Sequence, residues 1–399
     1  MATHAVDGEP VLVIGGGIGG LATALALART GRRVEVFEQA EAFKEIGAGL
    51  QVGPNAFRVF AALGVTEAVR ALATFPQALA LRDLLHGGEI TTLPLGPRFE
   101  QRYGFPYGLM HRADLLGVLL AACRETPQIR LRTGHRLVAF EDQGEGVLAR
   151  FEDGALHRGA ALVGADGLWS TVRQALVDDG PPRLSGHICY RAVVPTQRVP
   201  DTLRRHAMSL WLGPRTHMVL WPMRQAQFYN ITAVFHSDRL EEGWDSEASP
   251  QELHERFAGA LPEVRALLGS IDNWRMFVLR DRDPIRSWSK GRVTLLGDAA
   301  HPTLQYLAQG ACMAMEDGVC LAEMLQRHGG DVPAALLRYQ QARYLRTARV
   351  QLTSRLYGHV YHASGATANL RDQFLRSRSA EDTLEGMAWV FDPQPTTQE

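Results

Sequence analysis

With 399 residues, 46% of them hydrophobic, the chain is long enough for two or three domains and a sizeable core, which excludes a small disulfide-stapled scaffold. Its 42 basic and 43 acidic residues leave a formal net charge of −1, so no global field selects nucleic acid or an anionic membrane as partner. Cys123, Cys189, Cys312 and Cys320 form no CxxC pair, no secretory leader is evident, and no apolar run approaches the roughly 18 residues that span a bilayer; a reduced, cytoplasmic protein is expected.

The first predicted unit is βαβ: strand Val11–Ile14, a glycine turn, helix Ile18–Arg29 with Gly31 as its stop, and strand Val34–Phe37. Such a unit predicts a parallel sheet covered on both faces. Gly15, Gly17 and Gly20 form a GxGxxG between strand and helix. The first permits the tight turn, the second lets backbone approach a pyrophosphate, and the third lets the helix pack close to the strand. The helix start offers N–H groups and its positive dipole end to phosphates. Glu38, just past the next strand, is placed to accept from an adenosine ribose. A dinucleotide is expected, and NAD and FAD both remain open because they share the ADP half.

Helical periodicity follows over 54–71 and, after MHRADLL, over 113–124. Residues 137–140 and 147–151 alternate like hairpin strands. From 186 to about 236 the runs ICYRAVV, MSLWL, THMVLWP and FYNITAVF follow one another without helices. They predict an antiparallel sheet and a second domain. A helical stretch at 250–268 and a strand near 274–280 come next. VTLLGDAA at 293–300 returns to the style of the first domain, and from about 333 the pattern is helical. There Leu345, Leu352, Leu356 and Val360 lie near one face, which suits either a dimer contact or packing on the first domain.

A flavin carries a ribityl chain and a ring beyond its pyrophosphate, so it needs a second holding element. Asp298, after the strand at 293–296, can accept from ribityl hydroxyls. The helix beginning near Gly310 can aim N–H groups at the pyrimidine edge and stabilise negative charge on reduced flavin.

The GGGIGG turn with Glu38, GADGLWSTVR at 164–173 and GDAAHP at 297–302 resemble the three signature motifs of single-component FAD-dependent aromatic hydroxylases, in the right order and over almost the whole chain. The resemblance implies an α/β fold: a Rossmann-like FAD-binding domain (1–78, 100–185 and 285–332), an inserted antiparallel-sheet substrate domain (79–99 and 186–284) and a C-terminal helical region (333–399). It implies non-covalent FAD, with Gly15, Gly17, Gly20 and Glu38 at its ADP end. Arg112, in an HRxxL-like stretch, would face the phosphate region, and Asp298, Gly310, Ala311 and Cys312 the ribityl and ring end. Asp166 is implied in cofactor and nicotinamide handling; the lesser alternative is a turn residue before Gly167. With no second GxGxxG, NADH or NADPH would visit transiently as co-substrate with O2. The implied reaction is electrophilic hydroxylation of an activated phenol through a C4a-hydroperoxyflavin.

Within that family, HPTLQYLAQGA, GPRTHMVLWP and RYGFPYGLMHRADL look most like the 3-hydroxybenzoate 6-hydroxylases, which make gentisate. Salicylate or a hydroxypyridine carboxylate is the alternative substrate, and a flavin dehydrogenase without oxygen insertion the alternative class. His217, Val219 and Trp221 share one strand face by the two-residue period. A strand histidine beside a Gly-Pro turn suits a structural role, but the resemblance makes His217 the base for the phenolic proton, with a near-neutral intrinsic pKa. Gln305 would orient the substrate, or else be a capping or solvent-facing amide. Tyr107 would help to seat it, and Trp221 stands where the subgroup carries a tyrosine. Tyr190 and Arg191 look equally inviting for a carboxylate and are ranked behind these.

Overall fold

The computed structural model describes residues 8–44, 49–237 and 249–393. Val11–Ile14 is buried along its whole length and pairs in parallel with Val34–Phe37 on one side and Ala161–Gly164 on the other. A strand sandwiched in this way needs apolar side chains on both faces, which VLVI provides. The sheet continues outward to Ile129–Arg132 at one edge and, through Val293–Leu295, to the short Ser289–Lys290 at the other, six strands in all. Helix Ile18–Arg29 lies between this sheet and helix Gly310–Arg327. The two helices approach closely because small residues meet: a Cβ on Gly318 would stand 2.6 Å from Thr23 Oγ1, and one on Gly19 2.9 Å from Ala314 Cβ.

A second sheet holds seven strands, in the spatial order Arg275–Asp281, Arg183–Pro195, Phe228–His236, Thr216–Met223, Ala207–Gly213, Ala78–Asp83 and Glu89–Pro94. It is not wholly antiparallel as expected, since Ala207–Gly213 runs parallel to Ala78–Asp83. Ala78–Asp83 and Ala207–Gly213 are more than a hundred residues apart in the chain, so no hairpin imposes opposite directions on the pair.

Two stretches read as continuous helices are divided. Residues 54–71 form Pro54–Leu63 and Thr66–Leu72, parted at Gly64, whose φ of +70° is left-handed. Residues 250–268 form Pro250–Arg256 and Pro262–Gly269, the second opened by a proline at its start. The helix Val332–Tyr361 runs for 30 residues and buries Leu336, Tyr339, Arg343, Val350 and Ser354. Leu345, Leu352 and Leu356 are 61%, 52% and 58% exposed, so these three do not pack on the first domain, whereas Val360 is half-buried against a cluster that includes Tyr361 and Tyr306. No helix among the described residues is long and apolar enough to cross a membrane. All four cysteines are free and buried.

Candidate active site

The glycine turn is shaped by backbone contacts that leave no room for a side chain. Gly15 has φ +111°, and a Cβ there would lie 2.3 Å from the Ala165 carbonyl oxygen; one on Gly20 would lie 2.0 Å from the Gly15 carbonyl oxygen. Helix Ile18–Arg29 then starts with no side-chain cap and no acidic residue in its first turn, leaving its first N–H groups for an anion. The Glu38 carboxylate accepts from the N–H groups of Gly16 and Ala40, each at 2.9 Å, which ties the end of the second strand to the turn. This cradle fits the ADP half of a dinucleotide.

The far end of the site is the 3-10 turn Gly297–Ala299, which follows strand Val293–Leu295. Asp298 is exposed on it, and a Cβ on Gly310, the first residue of helix Gly310–Arg327, would lie 3.8 Å from Asp298 Oδ1. Carboxylate and uncapped helix start are thus neighbours, a suitable pair for a ribityl chain and the ring beyond it. Ala311 is half-buried, and the Cys312 thiol is buried 3.6 Å from the Gln51 carbonyl oxygen. Burial pushes that thiol up to about 12. Arg112 begins helix Arg112–Glu125, capped by His111.

Groups the motif reading passed over hold this turn in place. Asp317, wholly buried, accepts from the Gly297 N–H at 3.1 Å, from His301 Nε2 at 2.6 Å and from Arg343 Nε at 2.6 Å. Burial alone would raise its carboxyl, but the His301 imidazole and the Arg343 guanidinium outweigh burial and hold it at about 2. Neighbouring Glu316 accepts from Arg343, Arg346 and Asn55. Arg173, at the end of the GADGLWSTVR motif, donates to the carbonyls of Ala299 and Ala300 at 2.8 and 2.7 Å. Two of the three motifs therefore grip each other. Asp166 accepts from Ser170 Oγ at 2.5 Å and from the Val172 N–H at 3.2 Å, bracing the start of helix Thr171–Leu176. Burial raises its pKa against those two bonds.

The strand register sorts the substrate-side residues. His217 lies opposite Val234, which lies opposite Cys189; Val219 lies opposite Thr232, which lies opposite Arg191; Trp221 lies opposite Asn230. Directly paired residues point the same way, so these side chains share one face. The other face, with Ile188, Tyr190, Met218 and Ile231, is buried against Leu253, Phe257 and Val264 from the two helices after residue 249. Tyr190 and Arg191, indistinguishable in the sequence, are thereby separated, and Tyr190 is removed from the site.

On the shared face, Arg191 donates to Gln305 Oε1 and lies over the Phe277 ring at 5.3 Å, while its buried Nε has no partner. The Gln305 amide also reaches Cys189 Sγ at 3.4 Å, so it is neither a cap nor a solvent-facing group. The Trp221 indole packs where Gly49 leaves space, since a Cβ there would be 1.9 Å from Cη2. Tyr107 is buried with its hydroxyl donating to Gln51 Oε1, and burial pushes its phenol upward.

His217 heads a chain of imidazoles absent from the sequence reading. Its Nδ1 lies 2.7 Å from His362 Nε2, and His362 Nδ1 lies 2.9 Å from His236 Nε2. His236 Nε2 is 3.1 Å from His187 Nε2, and His187 Nδ1 is 2.6 Å from the Tyr306 hydroxyl. Burial lowers His217 to about 3 and His187 to about 4, which corrects the expectation of a near-neutral value: His217 is held uncharged. His187 and His236 pair across adjacent strands, a signal available once register is known. His362, one residue past the long helix, carries no sequence signal.

Residues 9–354 match the model of the FAD binding domain family. The sequence is 44% identical over 382 residues to a 3-hydroxybenzoate 6-hydroxylase from Polaromonas naphthalenivorans (strain CJ2), covering 96% of this chain and 95% of the relative. A 3-hydroxybenzoate 6-hydroxylase from Klebsiella oxytoca is 39% identical over 380 residues, covering 95% and 96%. The solved structure of Klebsiella pneumoniae HpxO complexed with FAD and uric acid is similar with a TM-score of 0.86 at 28% identity, covering 97% of this chain and 98% of that one.

Proposed function

This chain belongs to the FAD binding domain family, and from its likeness to the 3-hydroxybenzoate 6-hydroxylases within it we propose that it hydroxylates 3-hydroxybenzoate at C6 to give gentisate, with His217 accepting the phenolic proton. It is an FAD-dependent aromatic-ring monooxygenase, with NAD(P)H as reductant. When bound, FAD takes electrons from the nicotinamide and activates O2 for insertion of one oxygen atom into the ring. Its ADP end is assigned to Gly15, Gly17, Gly20 and Glu38, its phosphate region to Arg112, its ring end to Asp298, Gly310, Ala311 and Cys312, and cofactor and nicotinamide handling to Asp166. The six-stranded sheet forms the cofactor domain and the seven-stranded sheet the substrate domain.

The observation that carries the reading is the shared sheet face, where an uncharged imidazole with one nitrogen engaged and a guanidinium with a buried, unpartnered Nε point the same way. With His217 Nδ1 committed to His362, Nε2 is the nitrogen left to receive the phenolic proton. Loss of that proton sends electron density ortho and para, and C6 is para to the 3-hydroxyl. Because burial disfavours a lasting imidazolium, the Nδ1 proton is shared with His362 Nε2 as Nε2 receives the new one. Arg191 Nε supplies the bond that a ring carboxylate needs, and Gln305 fixes the guanidinium. Trp221 seats the ring by packing in place of a hydroxyl.

A second copy of this chain is the partner assigned to the exposed Leu345, Leu352 and Leu356 stripe, since a row repeated along one helix face can pair with itself across a twofold axis. Light scattering at twice the monomer mass checks it. Free buried cysteines suit a cytoplasmic location. The catalytic reading is tested by following NADH oxidation in air with and without 3-hydroxybenzoate and identifying the product. Stimulated oxidation with gentisate formed is the expected result; a flavin-loaded protein indifferent to 3-hydroxybenzoate overturns the substrate.

A further inference from the structure

The imidazoles of His187, His236 and His362 converge outside the set that meets the phenol. One ring nitrogen of each lies within 4.8 Å of those of the other two, and the close contacts are made by His187 Nε2, His236 Nε2 and His362 Nδ1. Two of the separations are known, 3.1 Å between His187 and His236 and 2.9 Å between His236 and His362. Three nitrogens bound tetrahedrally at zinc distances stand roughly 3.3 Å apart, so small ring rotations open this cluster to coordination. We infer that His187, His236 and His362 form a binding site for a divalent transition-metal ion of the zinc class, and that its occupation shuts off proton acceptance at His217. The coupling rests on His217 being the phenol base; the metal site itself does not.

Three observations support the site. First, the ligands come from three separate elements, strands Arg183–Pro195 and Phe228–His236 and the end of helix Val332–Tyr361, so the folded sheet positions them before any ion arrives. Second, two of them have outer partners on the nitrogen that faces away from the cluster. His187 Nδ1 lies 2.6 Å from the Tyr306 hydroxyl and His362 Nε2 lies 2.7 Å from His217 Nδ1. Metal-binding histidines are normally oriented by a bond of this kind from the second ring nitrogen. Third, there is an entry path. His187 and His236 form part of the wall of a surface cavity of about 320 Å³ that also holds Arg183, Arg215, Arg355 and His359. The positive charge of Arg355 is matched by Asp281 and Asp283 at 2.6 and 2.7 Å, and Arg183 faces the same two carboxylates at 3.4 Å. Arg215 adds a charge to the rim, which favours an anion such as chloride or hydroxide in the fourth coordination position. Burial already lowers the pKa of each of the three imidazoles, leaving their lone pairs available.

The consequence for His217 follows from hydrogen-bond direction. A metal on His362 Nδ1 leaves that ring's proton on Nε2, which donates to His217 Nδ1. His217 must then carry its own proton on Nε2, the nitrogen that would otherwise receive the phenolic proton. The rings themselves release and take up no net proton, because each keeps or exchanges one neutral tautomer; a hydroxide in the fourth position leaves its proton to solvent.

The test is titration of the flavin-loaded enzyme, without substrate, with Co2+ as a visible stand-in for zinc. Expected are d–d bands to the red of the flavin absorption, saturating at one equivalent and abolished by Zn2+. His236→Gln, at the half-buried ligand, should weaken binding by about tenfold or more while flavin content and melting temperature are kept. His187→Gln provides a second variant should the first fail to fold. Absence of the bands at stoichiometric Co2+, or bands unchanged in both variants, overturns the site. Zn2+ at saturation should also stop gentisate formation in the wild type, and this inhibition should disappear in His236→Gln. Stoichiometric binding that leaves hydroxylation unchanged would uphold the metal site and overturn His217 as the base.

Discussion

The glycine turn of the six-stranded sheet and the histidine face of the seven-stranded sheet are each assigned a small molecule, and they would hold it with different parts of the chain. The turn uses mostly backbone: besides the Glu38 carboxylate, its contributors are main-chain groups between Gly15 and Ala40 and the Ala165 carbonyl, and its geometry depends on glycines without side chains, as the Gly20 Cβ position 2.0 Å from the Gly15 carbonyl shows. The histidine face uses side chains drawn from distant positions, with His217 held by His362 and Arg191 held by Gln305. A backbone site is sensitive to any added atom and indifferent to chemistry it does not touch. A side-chain site is sensitive to the identity of one nitrogen and leaves the scaffold standing when that nitrogen is removed.

The largest expected effect lies in the turn. Gly20→Ala drives a methyl into a carbonyl oxygen that cannot rotate away, so the variant should purify without flavin and lose all turnover. Its melting temperature should fall with an overpacking cost of about 1–3 kcal/mol. A yellow, active Gly20→Ala protein would break the contrast. His217→Ala comes next: hydroxylation should drop by about 10²–10⁴-fold, while flavin content and NADH oxidation persist, measured by product chromatography beside oxygen uptake. Loss of flavin in this variant would show that the two regions are not separable.

Arg191→Gln should act mainly on KM for 3-hydroxybenzoate, raising it by roughly 10–100-fold as one charge-assisted hydrogen bond is lost; an unchanged KM would remove Arg191 from the carboxylate site. The smallest effect is on stability and separates the regions by pH. Unfolded imidazoles titrate near 6.5, whereas burial holds His217 at about 3 and His187 at about 4 in the fold. Below about pH 6.5 the unfolded chain binds more protons than the native one, so stability falls as pH drops and is fully present above that value. For a fully buried imidazole such as His217 the loss is ~2 kcal/mol by about pH 5. His217→Asn should flatten the melting-temperature profile over that range, and Gly20→Ala should leave its slope unchanged.

Legibility in the sequence followed the same division. The βαβ unit, the GxGxxG roles and the placement of Asp298 beside Gly310 were readable because each depends on residues close together in the chain. The division of helix 54–71 at Gly64 was available from a single glycine. The parallel pairing of Ala78–Asp83, the choice between Tyr190 and Arg191, and the grip of Arg173 on Ala299 and Ala300 were not, because each depends on which distant strand or turn lies alongside.

By itself the sequence determined the nucleotide-binding turn, since local backbone requirements encode it directly, and its three motifs carried the resemblance that implies the cofactor class and the family of chemistry. The tertiary structure alone decided that His217 is uncharged and bonded to His362, that Asp317 and Arg343 lock the ring-end turn, and that three further histidines converge beside the base. Burial and side-chain partnership set both pKa and hydrogen-bond direction, and neither exists until segments apart in the chain, by 26 residues for Asp317 and Arg343 and by 145 for His217 and His362, have packed together.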